Sequence, residues 1–458
     1  MTSGVGAPTA VGWSGPLGVT LTGEADVQAA CGLMHVHGRR FGRPTALEFD
    51  YASALGAELA GLGFAAAELG RARWIPVRAL TTSVAQAALL AVSPYLAAAT
   101  ADEPVGPFEP GGPPFVSVEG IAFDLDTDDE GAWSRFWTVL GAEHRHVAQG
   151  WLTFPHRYET ACCPLPPELF ALTARTPIVA VEDIAEETGP TVARLARRAV
   201  EDLPPYVVSA LPTADLTPDP RREARPDAAP LSGIVVVESV RRTRGPVAGL
   251  LLGFLGATVV RVEPPGGDPD RAVRPLVDET SARYHAFNRD KRVVELDPGT
   301  PAGLLELAEL LAGADVFVHD WTSDEAVARS LDPQALDQAR PGLVTAYLSG
   351  SAGEFPVQAR TGVPHTLMTV VDVFGGVVAA RAVVEALTWR RRTGQGQYAE
   401  ASRSAAASRL NARTRLRSAS PRTVPVCTDL AALGADPAFA AVLRRDGCLV
   451  PVSPWTVS

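Results

Sequence analysis

The 458-residue sequence has no GxGxxG, no GxxxxGK[ST], no HExxH and no GxSxG. Classical dinucleotide binding, P-loop, zincin and serine-hydrolase chemistry therefore lose their main sequence support. It also has no CxxC. The five cysteines, Cys31, Cys162, Cys163, Cys427 and Cys448, are odd in number, and the adjacent Cys162 and Cys163 cannot provide zinc-finger spacing. No His, Cys or carboxylate cluster has metal-ligand spacing, so no metal is expected. Basic charge is short: the net charge is -11, which argues against a nucleic-acid partner and against a polybasic membrane patch. The opening MTSGVGAPTAVGW lacks the basic and apolar regions of a signal peptide. The longest apolar run, Pro246–Val260, falls short of the roughly 20 residues a membrane span requires. A reducing, cytoplasmic location is the expectation.

What is present is ordinary globular material, 46% hydrophobic and 20% charged. The length predicts two or three domains. Pro204–Pro230, rich in proline and charge, reads as a linker. Beyond it, strand-type runs at Ile234–Val237, Thr258–Val262, Asp315–His319 and Leu343–Leu348 alternate with helix-length segments at Val247–Gly256 and Pro301–Ala312. Alternation of this kind implies βαβ units and a doubly wound, Rossmann-like parallel sheet. The first part differs. Ala52–Gly70 and Ser83–Ala99 read as Ala/Leu-rich helices, Phe115–Leu125 as a strand, and Glu130–Leu140 as a helix with an aromatic face. An α/β fold with a smaller α+β domain is expected.

An internal half-repeat is also expected. The stretch from Phe49, FDYASALGAELAGLGFAAAELGR, parallels VDVFGGVVAARAVVEALTWRR from Val371, and Ser83 falls opposite Ser402. This reading sets Asp50 opposite Asp372. Either aspartate could instead be a helix N-cap. The expected division is 1–110 as a rear half-copy, 111–203 as the small domain, 204–230 as linker, 231–415 as the Rossmann-like domain and 416–458 as a C-terminal segment.

One loop draws attention on its own. Glu263-Pro264-Pro265-Gly266-Gly267-Asp268-Pro269 comes directly after a buried strand, at the edge where open α/β sheets bind ligands. The amides of Gly266 and Gly267 could approach a phosphate or a carbonyl, or the glycines could simply make a rigid turn.

The segment LSGIVVVESVRRTRGPVAGLLLGFLGATVVRVEPPGGDPDR resembles the opening of class III CoA-transferases, the CaiB/BaiF type. So do SARYHAFNRDKRVVELD, ADVFVHDW and the TGQGQ run at Thr393–Gln397, all in the family's order. PFVSVEGIAFDLDTDDEGAWSRFW looks like the family's small domain. SGPLGVTLTG, Ser14–Gly23, is similar to the segment preceding the family's catalytic aspartate.

The resemblance implies an acyl-CoA enzyme that moves CoA between carboxylic acids through an aspartyl intermediate. Asp372 in LMTVVDVFGG takes the nucleophile's place, with Gly375 and Gly376 leaving room and donating N–H groups to an oxyanion. Glu354 and Gln358 match the family's acidic residue and the glutamine after it. His365 could serve as an acid/base partner, as in related racemases. Arg261, Arg271, Arg289, Lys291 and Arg292, with Gly266 and Gly267, are the candidates for holding CoA. The expected partners are a carboxylic acid or acyl-CoA, with a homodimer as the assembly. Two alternatives stand beside transfer: α-proton exchange of the racemase or isomerase kind, and a repurposed biosynthetic enzyme or binding subunit that no longer uses CoA. Three departures from the pattern are evident. Asp320 stands where the family usually has asparagine, with the Pro-Gly that follows it gone. The stretch between Gly350 and Glu354 is shorter than the family's glycine-rich one, and only nine residues separate Gly362 from Asp372. The Ser14–Gly23 segment is expected to make good that deletion.

Overall fold

The valine-rich runs become strands of one sheet. The computed structural model describes residues 11–77, 79–103, 106–195, 203–214, 229–350, 353–413 and 422–457. In chain order the strands are β1 (Val207–Ala214), β2 (Val235–Ser239), β3 (Thr258–Glu263), β4 (Arg292–Glu295), β5 (Val316–His319), β6 (Val344–Tyr347) and β7 (Gln395–Glu400). Their order across the sheet is β4-β3-β2-β5-β6-β7-β1. The six strands from β2 to β7 run parallel, and β1 adds an antiparallel edge on β7. Numbered among themselves, the parallel strands take the order 3-2-1-4-5-6 of a doubly wound sheet. The order reverses between β2 and β5, so a crevice lies at their carboxyl ends, just beyond Ser239 and His319. Parallel strands are covered on both faces, which is why these runs are apolar without alternation.

Six helices position the candidate site and its core: α1 (Tyr51–Ala72), α2 (Val84–Ala99), α3 (Arg244–Phe254), α4 (Glu354–Thr361), α5 (Val370–Thr393) and α6 (Arg403–Arg413). Ser83 caps α2 by accepting the N–H of Gln86. Helix α5 ends at Gly394 in the left-handed conformation. Helix α1 is long and apolar enough to cross a membrane, a feature that counting apolar runs overlooks, and most of its apolar window is buried inside the protein.

Three sequence expectations change. The expected linker 204–230 includes β1; residues 215–228 lie outside the described residues. Prolines are tolerated in that strand because it is an edge. The single strand expected over Phe115–Leu125 is a hairpin, Phe115–Val116 against Ala122–Asp126, with Gly120 at φ +78° between them. With Thr191–Arg194 it forms a three-stranded sheet, packed on Trp133, Phe136, Trp137 and Phe154 in a core of its own. The third change concerns the large unit. Leu55, Leu59 and Leu62 of α1 share one core with Val247 and Leu251 of α3 and with Val377 and Val383 of α5. The N-terminal stretch is thus packed into the same body as the sheet. The C-terminal segment joins it too: the indole of Trp455 donates to the Leu59 carbonyl at 3.1 Å, and Leu449 N–H to the Thr100 hydroxyl at 2.8 Å.

Candidate active site

Asp372 lies in the first turn of α5, at the carboxyl edge of the sheet, and is buried. Arg403, the first residue of α6, holds it. Its Nε lies 2.7 Å from Asp372 Oδ1 and its Nη2 3.4 Å from Oδ2, with 11% of the arginine side chain and 6% of the aspartate side chain exposed. The backbone N–H of Arg403 donates to the Ser349 carbonyl at 3.1 Å, just past the end of β6. A second arginine, Arg244, opens α3 after β2. It is buried, and donates to the carbonyls of Leu348 and Ser349 at 2.7 and 2.9 Å. Burial first, then the Arg403 charge, pull Arg244 down to about 10. Two guanidinium groups therefore converge where three strands end. Neither is among the residues expected from the sequence.

Glu354 lies behind Asp372. Its Oε1 accepts the N–H of Val371 at 2.7 Å and the Gln358 side-chain amide at 2.9 Å, while Oε2 accepts the N–H of Asp372 at 2.9 Å. These are the orphan donors of a helix N-terminus. Glu354 therefore orients Asp372 through the backbone. Burial, and secondarily the Asp372 charge, raise its carboxyl to about 8.

The same bonding pattern occurs once more. Glu24 Oε1 accepts from Ala52 N–H and from Gln28, and its Oε2 accepts from Ser53 N–H, at the start of α1. Gln28 receives the N–H of Leu47 as Gln358 receives that of Thr366. Ala52 to Val371 and Ser53 to Asp372 share an offset of 319 residues, as do Ser83 and Ser402. Asp50 is thereby set opposite Thr369, and Ser53 opposite Asp372. The expected pairing of Asp50 with Asp372 is out of register by three residues. Asp50 does stand at the N-cap position of α1, but the carboxylate taking the helix's first N–H groups belongs to Glu24.

The cofactor-binding residues expected from the sequence do not assemble into a phosphate cradle. Arg261 is buried on β3, in contact with Glu238, Glu263 and Asp268. Lys291, its side chain 2% exposed, sits on Glu238 at 2.7 Å. Arg271 clamps Glu263, Arg289 donates to the Ala286 and Pro451 carbonyls, and Arg292 is exposed. In the loop, Gly266 N–H goes to Glu295 at 2.9 Å and Gly267 N–H to the Pro264 carbonyl at 2.9 Å. At φ +90° and +88° these two glycines build a rigid turn whose amides are already occupied. Gly375 and Gly376 lie inside α5, and a Cβ on Gly376 would meet Val247 Cβ at 2.7 Å. They permit close helix packing and are not placed as oxyanion donors. Gln358 positions Glu354.

His365 does not reach Asp372 through any described contact. Its Nδ1 lies 2.7 Å from Arg40 Nη1, its Nε2 4.0 Å from Asp124, and its ring edge packs on Phe355. Burial and the neighbouring cation hold it well below the ordinary histidine range, hence neutral. Ser14–Gly23 packs beside the start of α2: Ser83 donates to the Ser14 carbonyl, Leu21 N–H bonds the Ser14 hydroxyl and Gly18 N–H the Ala438 carbonyl. Asp320 accepts the Arg241 N–H at 3.0 Å. It thus ties the loop after β2 to the loop after β5, across the crevice. Beside the small domain lies a cleft of about 1000 Å³, its walls including Phe108, His156, Cys162, Arg274 and Arg283. Among the described residues no group of three His, Cys, Asp or Glu could hold a metal.

Residues 231–450 match the family model described as CoA-transferase family III. The chain is 32% identical over 198 residues to the succinate–glutarate CoA-transferase of Agrobacterium fabrum, covering 37% of this chain and 50% of the relative. It is 31% identical over 192 residues to the cinnamoyl-CoA:phenyllactate CoA-transferase of Clostridium sporogenes, covering 36% and 47%. A crystal structure of a CAIB/BAIF family protein from Brucella suis is 30% identical over 40% of this chain and 55% of that one, with a TM-score of 0.37. The chain spans about half the length of the curated relatives it matches. Its region 231–450 is similar to CoA-transferase family III.

Proposed function

We propose that the chain is an acyl-CoA enzyme of the class III transferase type, moving CoA between carboxylic acids with Asp372 as the nucleophile. The observation that carries this reading is Asp372 itself. It is a buried carboxylate at the carboxyl edge of the sheet, inside the matched region, oriented by Glu354 and paired with Arg403. In the reaction, an Asp372 oxygen attacks the thioester carbonyl and expels the CoA thiolate, leaving a mixed anhydride. The thiolate then attacks the Asp372 carbonyl, releasing the donor acid and leaving an aspartyl-CoA thioester. An acceptor carboxylate reverses both steps. CoA enters as substrate. Its phosphates are assigned to Arg241 and Arg242, exposed at the β2 end of the crevice, Arg242 exchanging its surface ion pair with Asp128 for the phosphate.

The duplicated carboxylate network supports reading the first stretch, expected over 1–110, as a half-copy of the rear of the 231–415 domain, with 111–203 as the small domain between them. A reducing cytoplasm fits five cysteines that are all unpaired, and a homodimer is the assembly the resemblance implies. The racemase reading loses its acid/base pair, because His365 faces Arg40 and Asp124. The non-catalytic reading has one observation in its favour: Asp372 is locked in an ion pair with little exposure. The test is to incubate the protein with a panel of acyl-CoAs and hydroxylamine and read the intact mass. An aspartyl hydroxamate in wild type, absent from Asp372→Asn, supports transfer. No adduct with any thioester, and no thermal shift with CoA, leaves the binding-subunit reading.

A further inference from the structure

If Asp372 is the nucleophile of the transfer proposed above, its ion pair with Arg403 cannot last through the reaction. In both covalent intermediates Asp372 is acylated and has lost its negative charge. Arg403, with 11% of its side chain exposed, then faces a neutral group in place of the carboxylate it pairs with at 2.7 Å. Arg244 makes matters worse: it is buried nearby and spends its donors on carbonyls, which bring no charge. A buried guanidinium that loses its carboxylate is strongly disfavoured.

The reaction supplies a replacement at the right moment. When the thiolate displaces the donor acid from the mixed anhydride, a free carboxylate is released beside Asp372. When the acceptor acid arrives, another carboxylate must be held beside the aspartyl-CoA carbonyl. Each carries the single negative charge and planar pair of oxygens that Asp372 presented. The Nε and Nη2 donors that now meet Oδ1 and Oδ2 of Asp372 form a fork suited to such a group.

We propose, resting on that transfer reading, that Arg403 is the receptor for the substrate carboxylate: it hands its fork from Asp372 to the departing donor acid, takes the entering acceptor acid in turn, and returns to Asp372 when acyl-CoA is re-formed. In the mixed anhydride the negative charge sits on the CoA thiolate. The guanidinium regains a carboxylate partner once the donor acid is released, and the charge balance closes without a proton moving. Arg403 also selects against neutral acceptors such as alcohols, which bring it no compensating charge.

The test separates the two half-reactions. Wild type, Arg403→Leu and Arg403→Lys are charged with acetyl-CoA or succinyl-CoA, the aspartyl-CoA species is quantified by intact mass, and acetate, succinate or glutarate is then added. In Arg403→Leu the adduct still forms, while the acceptor concentration giving half-maximal discharge rises about ten- to a hundredfold, the loss expected of a charge-assisted hydrogen bond. Arg403→Lys, which keeps the charge and loses the fork, falls between. The half-saturation for the acyl-CoA donor moves much less than that for the acceptor. The proposal is overturned if discharge of the Leu variant saturates at the wild-type acceptor concentration. It is equally overturned if a variant that melts like wild type, Arg403→Lys included, forms no adduct, for Arg403 would then serve the first step alone. Absence of adduct in wild type with every thioester sinks the assignment of Asp372 as nucleophile, and this proposal with it.

Discussion

Glu354→Gln isolates what the carboxylate behind Asp372 does. In wild type one oxygen serves Val371 N–H and Gln358, and the other serves Asp372 N–H. A glutamine amide keeps the first oxygen and puts an NH₂ group against the second donor. The buried Asp372 N–H then has no acceptor, at a cost of about 1–3 kcal/mol. A second effect depends on pH. Burial and the Asp372 charge raise Glu354 from the ordinary 4.5 to about 8. Between those values the folded protein holds a proton that the unfolded chain has released, so the Glu354 contribution to stability falls as pH rises, by at most about 1.4 kcal/mol per pH unit. Glutamine does not titrate. Urea unfolding at pH 5, 6.5 and 8 should therefore show Glu354→Gln less stable than wild type at pH 5, with the gap narrowing toward pH 8. In an Asp372→Asn background the narrowing should be smaller, because one of the two causes of the shift is gone. Other titrating groups are common to both proteins and cancel in the difference. A gap that stays constant or widens with pH would refute the raised carboxyl and return Glu354 to an ordinary ionised cap.

Gly376→Ala should lower the melting temperature, because the new Cβ meets Val247 Cβ at 2.7 Å and the Arg244 carbonyl at 2.8 Å; overpacking of about 1–3 kcal/mol outweighs a helix-propensity gain of about 1. Gly253→Ala, whose Cβ meets nothing nearer than 3.8 Å, should be neutral or slightly stabilising, and equal behaviour of the two would contradict the close-packing account. Arg261→Met should cost about 3–5 kcal/mol, because Asp268 loses the Arg261 guanidinium and the buried Glu238 and Glu263 are left with Lys291 and Arg271 alone. It should leave the KM for acyl-CoA unchanged at temperatures where the variant is folded; a raised KM with an unchanged melting temperature would restore Arg261 as a phosphate ligand.

The sheet was legible because its signal is local. Val235–Val237 and Val316–Val318 are apolar without alternation, which is what burial on both faces demands. The strand Val207–Ala214 was hidden because an edge strand satisfies only one neighbour and tolerates the proline and polar residues that also mark linkers. The likeness of α1 to α5 was legible as composition but not as register. Two alanine-rich helices slide past one another by a turn with little loss of similarity, so matching the visible aspartates shifted the alignment by three. Side-chain bonds fix it: Glu24 and Glu354 each grip two consecutive N–H groups, and that grip admits one alignment only.

The cations carry a different kind of signal. Closeness in sequence to the loop points to Arg261, Lys291 and Arg271, and three acids in the same stretch, Glu238, Glu263 and Asp268, hold them in ion pairs. The two arginines near Asp372 carry another mark. Arg244 and Arg403 each stand first in a helix, where the aligned peptide dipoles oppose a positive side chain. A cation kept at that position needs an acceptor strong enough to outweigh the dipole. Arg244 finds carbonyls at the ends of strands, and Arg403 finds Asp372. Each comes directly after a strand of a parallel sheet, so both were bound to meet at its carboxyl edge. Basic residues at helix starts after parallel strands are therefore a sequence signal for cations gathered at that edge, and here they lead to Asp372, the residue proposed above as the nucleophile.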